Sequence, residues 1–153
     1  ERITFGDPLL TSQQDHVEIV NAICQEFSDL PSDCALILMG HGTSHYANDV
    51  YAALDYRFKD LGHDNIHLAT VEGYPTLENV IRLVKEQGAK KVILTPFMIV
   101  AGDHARNDMS GEDEDSWKNQ FQAAGYEVEC CLKGLGEYPA VQNMLIRHVT
   151  EVC

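Results

Sequence analysis

Apolar runs along the chain alternate with segments in which apolar residues recur at every third or fourth position. The runs Cys34–Met39, Ile66–Val71 and Lys91–Val100 are typical of strands that are buried on both faces. Tyr126–Leu132 and the short segment Arg2–Phe5 are further strand candidates. This alternation predicts an α/β fold, a doubly wound parallel sheet of about five strands flanked by helices.

Five helices are predicted around these strands, and glycine or proline marks several of their ends. Pro75 is expected in the first turn of the third helix, and Pro139 in the first turn of the last. Gly62, Gly88 and Gly125 are expected just beyond helix ends, where a left-handed backbone suits glycine. The first two helices are expected over about 13–27, after an N-cap at Thr11 or Ser12, and over 44–61 or 46–61.

Composition and charge narrow the class of protein. The 153 residues, of which 44% are hydrophobic and 23% charged, predict a single globular domain over residues 1–153. No apolar run approaches the roughly 18 residues that a membrane span needs. The net charge of −13 argues against binding to nucleic acid or to anionic membrane surfaces.

Cysteine usage and the first residues bear on the compartment. The five cysteines form no CxxC pair and are odd in number, which favours a reducing compartment over a disulfide framework. Glu1–Thr4 has neither the basic start nor the apolar core of a signal peptide. We therefore expect a cytoplasmic protein, with the cysteines serving as packing residues.

The stretch Val92–Met109 contains the strongest local signal for a site. Its apolar run contains Pro96, which predicts a bulge or an early departure from the sheet because proline lacks a backbone donor. Gly102 then permits a sharp turn, and a polar cluster follows over 103–108. In open α/β sheets ligands bind beyond the carboxyl ends of the strands, so this cluster is a candidate site.

Three loops after consecutive buried strands carry His41, Glu72 and His104. The carboxyl ends of parallel strands share one edge of a sheet, so these side chains are expected to lie close together. Two imidazoles and one carboxylate form a three-ligand set with open positions, which suits Zn²⁺, Co²⁺, Ni²⁺ or Fe²⁺. The alternative is that they are ordinary polar loop residues at a functional edge.

Other polar motifs have competing interpretations. Gly40–Ser44 precedes a helix and could bind an anion, as in a generic flavodoxin-like domain that binds phosphate, although it matches neither a Walker A nor a GxGxxG sequence. His45 could face the same cleft as His41. The acidic run Glu112–Asp115 is interpreted as a solvated helix start. The remaining histidines are interpreted as structural or surface residues.

Five segments together resemble the CbiK-type anaerobic cobaltochelatases, which insert Co²⁺ into sirohydrochlorin or precorrin-2 in cobalamin synthesis. They are residues 39–45, 71–75, 97–109, 115–118 and 134–139. The resemblance covers essentially the whole chain. It implies a class II chelatase, whose two similar α/β halves enclose the tetrapyrrole, and this chain resembles the C-terminal half.

The resemblance also implies roles for individual residues. The metal centre and catalytic residues of the family fall on His41, Glu72 and His104. One hypothesis gives His41 the role of base, with His104 and Glu72 delivering the metal, but the sequence leaves open which histidine does which. Asp103 is expected to orient an imidazole. The residues expected to contact the tetrapyrrole are Gly42, Ser44, His45, Arg106 and Lys118.

The partners implied are the tetrapyrrole and a second cleft wall, which either an N-terminal chelatase half or a second copy of this chain would supply. Sirohydrochlorin is a polycarboxylate, so Arg106 and Lys118 are expected to offset the acidity of the chain. Two alternatives remain. One is a non-catalytic half that binds metal or tetrapyrrole, and the other is a ferrochelatase acting on sirohydrochlorin for sirohaem. Ni²⁺, Fe²⁺ or Zn²⁺ would also suit the ligands.

Overall fold

The computed structural model describes residues 3–153 and consists of strands and helices in alternation. The strands are β1 (Cys34–Gly40), β2 (Ile66–Thr70), β3 (Lys91–Pro96) and β4 (Glu127–Cys130). The α-helices are α1 (Gln13–Glu26), α2 (Asp49–Asp60), α3 (Leu77–Gln87), α4 (Trp117–Ala123) and α5 (Pro139–Thr150). Two 3₁₀ turns, Tyr46–Asn48 and Leu135–Glu137, and a π-helix, His104–Met109, complete the regular structure of this part of the chain.

The sheet has the order β2-β1-β3-β4, and every neighbouring pair is parallel. β1 therefore lies between β2 and β3, with Leu38 opposite Leu68 on one side and Thr95 on the other. All seven residues of β1 are buried, as a central strand covered on both faces requires. This order places the loops after β1, β2 and β3 side by side at one edge.

Two apolar cores cover the two faces of the sheet. Alternate residues of a strand point to opposite faces, so Leu36 and Leu38 pack with α1, α2 and α5, whereas Ile37 and Met39 pack with α3 and α4. The π-helix lies on the second face, because Ala105 and Met109 are fully buried in that core. The doubly wound arrangement predicted from the sequence is thus confirmed.

The predicted first strand is wrong over the described residues. Arg2 lies outside them, and Ile3–Phe5 form no strand; Ile3 and Phe5 are 77% and 86% exposed. The residues that follow lie beside α5, since the carbonyl oxygen of Asp7 accepts a hydrogen bond from Nδ1 of His148. The described sheet therefore has four strands. Ile3–Phe5 is short and largely exposed, so it has no buried apolar face with which to pack as a fifth strand.

Several predicted boundaries shift for local reasons. Pro75 precedes α3 instead of entering it: Thr76 is the N-cap and forms a capping box with Asn79, and the Tyr74–Pro75 peptide bond is cis. The second helix begins at Asp49, after the 3₁₀ turn. β3 ends at Pro96, which confirms the early departure predicted for that proline.

Side chains of α2 satisfy the outer backbone groups of the edge strand β2. Asp55 Oδ1 accepts a hydrogen bond from the backbone N–H of Leu68, and Lys59 Nζ donates to the carbonyl oxygen of Ile66. The two side chains also form an ion pair with a 2.7 Å separation. β2 is consequently buried although it lies at the edge of the sheet.

All five cysteines are free, as the sequence predicts. Cys34 is buried in β1, and burial raises the pKa of the Cys34 thiol. Cys130 packs against the core of α3 and α4, and burial raises the pKa of its thiol too. No helix within residues 3–153 has both the length and the apolar character that crossing a membrane would require.

Candidate metal centre

The loops that follow β1 and β2 are joined through their main chains. The N–H of Val71 donates to the carbonyl oxygen of Gly40, and the N–H of Glu72 donates to that of His41. These bonds continue the parallel ladder beyond the last strand residues. His41 and Glu72 are therefore held opposite each other by backbone pairing, whatever their side chains do.

The rings of His41 and His104 meet edge to face. Their centroids lie 4.6 Å apart and their planes make an angle of 87°. Both side chains are partly open to solvent, with 47% of His41 and 39% of His104 exposed. The sheet order produces this meeting, because β1 and β3 are neighbours and the loop that follows β3 leads into the π-helix at His104.

Both imidazoles use Nδ1 for a hydrogen bond within the protein. Nδ1 of His41 lies 2.9 Å from the carbonyl oxygen of Gly42, and Nδ1 of His104 lies 2.5 Å from Oδ2 of Asp108. The opposite ring nitrogen, Nε2, is the one left to bind a metal ion or a proton. Such an outer hydrogen bond is typical of metal-binding histidines in proteins.

Glu72 lies on the other side of His41. Its Oε2 is 3.9 Å from Nδ1 of His41, and 60% of its side chain is exposed. Within residues 3–153 no three His, Cys, Asp or Glu side chains converge closely enough to hold a metal ion as they stand. The exposed Glu72 side chain would have to turn toward the Nε2 atoms to join the two histidines.

The carboxylate that contacts an imidazole belongs to Asp108, whereas the sequence suggested Asp103. Asp103 is the N-cap of the π-helix, is exposed, and makes no side-chain capping hydrogen bond. Asp108 lies four residues after His104, one turn along the helix, so the two side chains share a face. The short helix was not predicted, and this i,i+4 spacing is the signal that could have identified Asp108.

The alternative interpretation, an anion bound by Gly40–Ser44, is weakened because two N–H groups of this loop have internal partners. The N–H of Gly42 donates to the Tyr51 hydroxyl, and that of Thr43 donates to Oδ1 of Asn48. Neither Tyr51 nor Asn48 was singled out in the sequence. Their hydrogen bonds to the loop form only when α2 packs against it, and the local sequence pattern does not reveal that packing.

Gly42 is a position where glycine is required. Its φ is +81°, and a Cβ atom there would lie 2.6 Å from the N atom of Gly73 and 2.9 Å from Cβ of Thr70. Asn48 spans the same gap, since its Nδ2 donates to the carbonyl oxygen of Tyr74. The loops that carry His41 and Glu72 are thus in direct contact.

The residues expected to contact a tetrapyrrole differ in their exposure and in their ion pairing. Ser44 and His45 are exposed, and the His45 ring stacks on Tyr46 with centroids 4.1 Å apart. Arg106 is exposed on the π-helix and forms no ion pair with the other residues of 3–153. Lys118, by contrast, is paired with Glu112 at 2.7 Å and is largely buried.

An apolar loop precedes the π-helix that begins at His104. Ile99 and Val100 are exposed in this loop, between β3 and the π-helix. The segment Gly134–Gly136 holds the backbone of the loop through hydrogen bonds. The N–H groups of Leu135 and Gly136 donate to the carbonyl oxygens of Met98 and Ile99. A Cβ at Gly134 would lie 2.6 Å from the Ile99 carbonyl oxygen, which accounts for glycine there.

Comparison with known proteins gives a family and several named relatives. A family model described as "Cobalt chelatase (CbiK)" matches residues 1–153. The chain is 40% identical over 148 residues to a sirohydrochlorin cobaltochelatase from Salmonella typhimurium, covering 97% of this chain and 56% of that protein. It is 33% identical over 151 residues to the sirohydrochlorin cobaltochelatase CbiKC from Nitratidesulfovibrio vulgaris, covering 96% of this chain and 52% of that protein.

Shorter and more distant similarities agree with the fold. A stretch of 78 residues is 30% identical to a sirohydrochlorin cobaltochelatase from Methanococcus aeolicus, covering 49% of this chain and 54% of that protein. The solved structure of a CbiX protein of cobalamin biosynthesis from Marinobacter aquaeolei matches with a TM-score of 0.57 and 19% identity. That match covers 77% of this chain and 93% of the other, and it supports the α/β architecture alone.

Proposed function

Since the chain belongs to the cobalt chelatase (CbiK) family, we propose that it supplies the metal centre and one cleft wall of an enzyme that inserts Co²⁺ into sirohydrochlorin or precorrin-2. The observation that carries this proposal is the His41–His104 pair at the carboxyl edge of the sheet, whose rings use Nδ1, and not Nε2, for their hydrogen bonds within the protein. Glu72 completes the proposed ligand set from the adjoining loop.

The chemistry of metal insertion suits these residue types. A divalent ion must be held while two pyrrole N–H protons leave the macrocycle, and neutral imidazole can either ligate or accept a proton near neutral pH. The carboxylate of Glu72 lowers the net charge of the bound ion. In this scheme Nε2 of His41 first releases the metal and then accepts pyrrole protons, which it passes to water, while His104 and Glu72 deliver the metal.

The reverse assignment of the two histidines is also consistent with the geometry. Both rings use Nδ1 for an internal hydrogen bond and are exposed to a similar extent. Each ring also has a carboxylate oxygen near Nδ1: Oε2 of Glu72 lies 3.9 Å from His41, and Oδ2 of Asp108 lies 2.5 Å from His104. Neither the exposure of the rings nor their carboxylate contacts favours one histidine over the other as the proton acceptor.

The chain spans about half the length of the curated relatives it matches, so a second wall is part of the proposal. The chain is proposed to correspond to the C-terminal half of a two-half chelatase. An N-terminal half or a second copy of this chain would face the edge that carries His41 and His104. The tetrapyrrole would lie between them, against Ser44, His45, Arg106 and Lys118, while the buried Gly42 would shape the loop beneath it.

Cobalt is proposed as the metal because of the family and the names of the relatives. The ligand set would also accept Ni²⁺, Fe²⁺ or Zn²⁺, since imidazole and carboxylate ligands bind all of them. Insertion of Fe²⁺ into sirohydrochlorin for sirohaem is therefore the nearest alternative reaction. Competition between Co²⁺ and Fe²⁺ in the insertion assay would separate the two.

A half that binds without turnover is the second candidate function. The histidine pair lies on an open edge, and the described residues leave one side of it to solvent. An ion held there without a second wall would have no enclosed site in which to meet a macrocycle. Binding of Co²⁺ with no insertion would be the mark of this alternative.

The deciding experiment measures Co²⁺ insertion into sirohydrochlorin by absorbance, with size-exclusion mass determined in parallel. The parent chain is compared with His104→Ala and with the matched control His63→Ala, whose ring lies in the loop between α2 and β2. Turnover by the parent and the control, lost in His104→Ala, would support the chelatase. Stoichiometric Co²⁺ binding without turnover would support the binding half, and a parent that binds no Co²⁺ would reject the site.

A further inference from the structure

The His104–Asp108 contact is the shortest side-chain hydrogen bond at the carboxyl edge among the described residues. Nδ1 of His104 and Oδ2 of Asp108 lie 2.5 Å apart, and both side chains are roughly half-exposed. Asp108 lies outside the proposed ligand set. Its contact with His104 nevertheless occupies Nδ1 and leaves Nε2 as the other nitrogen of the ring.

The π-helix that carries both residues is fixed in place by its neighbours. Ala105 and Met109, each one position after a member of the pair, are fully buried against the core of α3 and α4. The backbone N–H and the hydroxyl of Ser110 both donate to the carbonyl oxygen of Ala105, which closes the end of the helix. The His104–Asp108 face is thereby turned away from the core and toward His41.

The donor and acceptor roles in this contact follow from elementary chemistry. An ionised carboxylate only accepts hydrogen bonds, so Nδ1 of His104 must carry the proton. A neutral imidazole with its proton on Nδ1 has its lone pair on Nε2. The Gly42 carbonyl oxygen imposes the same tautomer on His41, again because a carbonyl oxygen only accepts.

We propose that Asp108 is a positioning residue that keeps His104 in the Nδ1–H tautomer and fixes its ring, so that Nε2 faces the metal. The metal part of this proposal rests on the proposed function. The two histidines then differ in how they are held: His41 by a main-chain carbonyl that substitution leaves in place, and His104 by a side chain that a single substitution removes. Asp108 is thus the point at which the metal centre can be altered without changing a proposed ligand.

The first test reads the tautomer directly and needs no metal. Long-range ¹H–¹⁵N correlation spectra are recorded at about pH 8.5, about two units above the pKa of a free imidazole. The His104 signals are assigned by their absence in His104→Ala. We expect Nδ1–H in the parent, a shift toward Nε2–H in Asp108→Ala, and retention of Nδ1–H in Asp108→Asn, whose amide oxygen can still accept.

The second test titrates Co²⁺ and follows its visible absorption. Removal of such a partner typically weakens metal binding about 10- to 100-fold, and we expect a loss of that size in Asp108→Ala with a changed Co²⁺ spectrum. Asp108→Asn should bind within a few-fold of the parent. Asp113→Ala is the charge control, because Asp113 borders the same acidic cleft as Asp108 and makes no recorded side-chain contact with His104.

The outcomes separate this proposal from the proposed function. An Nε2–H tautomer in the parent, or Asp108→Ala with the parent's tautomer and Co²⁺ affinity, would overturn the role of Asp108. Equal losses in Asp108→Ala and Asp113→Ala would overturn it too, since they would show a charge effect only. Co²⁺ binding that survives in His104→Ala would instead reject the proposed metal centre, whatever the tautomer of His104.

Discussion

The backbone N–H of Glu72 donates to the carbonyl oxygen of His41 at 2.9 Å. Two of the three proposed ligands are therefore tied together by main chain, and only their side chains have to move when an ion arrives. His104 reaches the same place from a different loop and is held by a side-chain contact. The centre thus combines a fixed pair of positions with one that depends on a neighbouring carboxylate.

Replacing Glu72 by Gln should weaken Co²⁺ binding about 30-fold. Two unit charges 4 Å apart interact by about 1 kcal/mol in water, so a dication and a carboxylate at an exposed site contribute about 2 kcal/mol. Isothermal titration with Co²⁺ measures this difference. The control is Glu114→Gln, which removes one exposed charge near the same edge; equal affinities for the two variants would exclude Glu72 as a ligand.

Replacing Arg106 by Ala should weaken sirohydrochlorin binding about two- to fivefold and leave Co²⁺ binding unchanged. Arg106 is exposed, and an exposed ion pair with a substrate carboxylate contributes at most about 1 kcal/mol. Separate absorbance titrations with tetrapyrrole and with metal test this. Arg82→Ala, which removes an exposed arginine from α3, is the matched control. Similar effects on both ligands would remove Arg106 from this role.

Gly42→Ala should destabilise the chain and disturb the metal centre. A left-handed alanine costs about 1–2 kcal/mol, and contact with the Gly73 backbone adds to that. For a chain of this size, each kcal/mol lowers the melting temperature by about 2–4 °C. Gly62→Ala is the control, because Gly62 has a similar φ of +84° and open space around it.

Comparing these two variants separates backbone strain from crowding. Both should lower the melting temperature, and Gly42→Ala should lower it further. Only Gly42→Ala should also reduce Co²⁺ affinity, because its clash pushes apart the loops that carry His41 and Glu72. Identical behaviour of the two glycine variants in both measurements would show that the contact between the loops is unimportant.

His148 should stabilise the fold most at acidic pH. The hydrogen bond to the Asp7 carbonyl oxygen and the contact with Asp15 raise the pKa of His148 above its usual range. A raised folded-state pKa adds stability that is complete below about pH 6.5 and is lost as pH rises through the folded-state value. Urea unfolding across this range should therefore show the advantage of the parent over His148→Gln shrinking as pH rises.

His67 should have the opposite pH dependence. Burial and the neighbouring Lys59 lower the pKa of His67, whose Nδ1 accepts from Lys59 while Nε2 donates to Gln87. A lowered folded-state pKa means that stability is lost as pH falls below about 6.5 toward the folded-state value. The advantage of the parent over His67→Gln should shrink on acidification; an advantage that grows instead would show that His67 is charged in the fold.

The sequence predicted the parts of the fold that depend on continuous local patterns. The apolar runs of β1, β2 and β3 are long enough to identify buried strands, and Gly88 does adopt the left-handed conformation predicted beyond a helix. Ile3–Phe5 was a wrong strand prediction, because a short apolar segment lacks a pattern that separates a strand from an exposed terminus. The position of Pro75 was wrong because the Thr76–Asn79 capping box fixes the start of α3.

The candidate site was predictable to the extent that it follows from topology. Parallel strands bring the loops of His41, Glu72 and His104 to one edge of the sheet. The order of the strands then determines which of these loops are neighbours. The contacts of Tyr51 and Asn48 depend instead on the packing of α2 against the loop, which no local pattern predicts. The contact of Asp108 depends on a short π-helix, for which its i,i+4 spacing from His104 is the one local signal. The roles of the three proposed ligands and the cytoplasmic location stay predictions.

The side chains along the two edge strands of the sheet affect how the chain can associate with other molecules. Asp55 and Lys59 occupy the outer hydrogen-bonding groups of β2, while β4 is short and presents Glu127 and Glu129 beside Lys91. Edges that are occupied or charged are poor templates for an incoming strand. The isolated chain should therefore resist growth into extended fibres, and any companion should meet it through loops instead of lengthening its sheet.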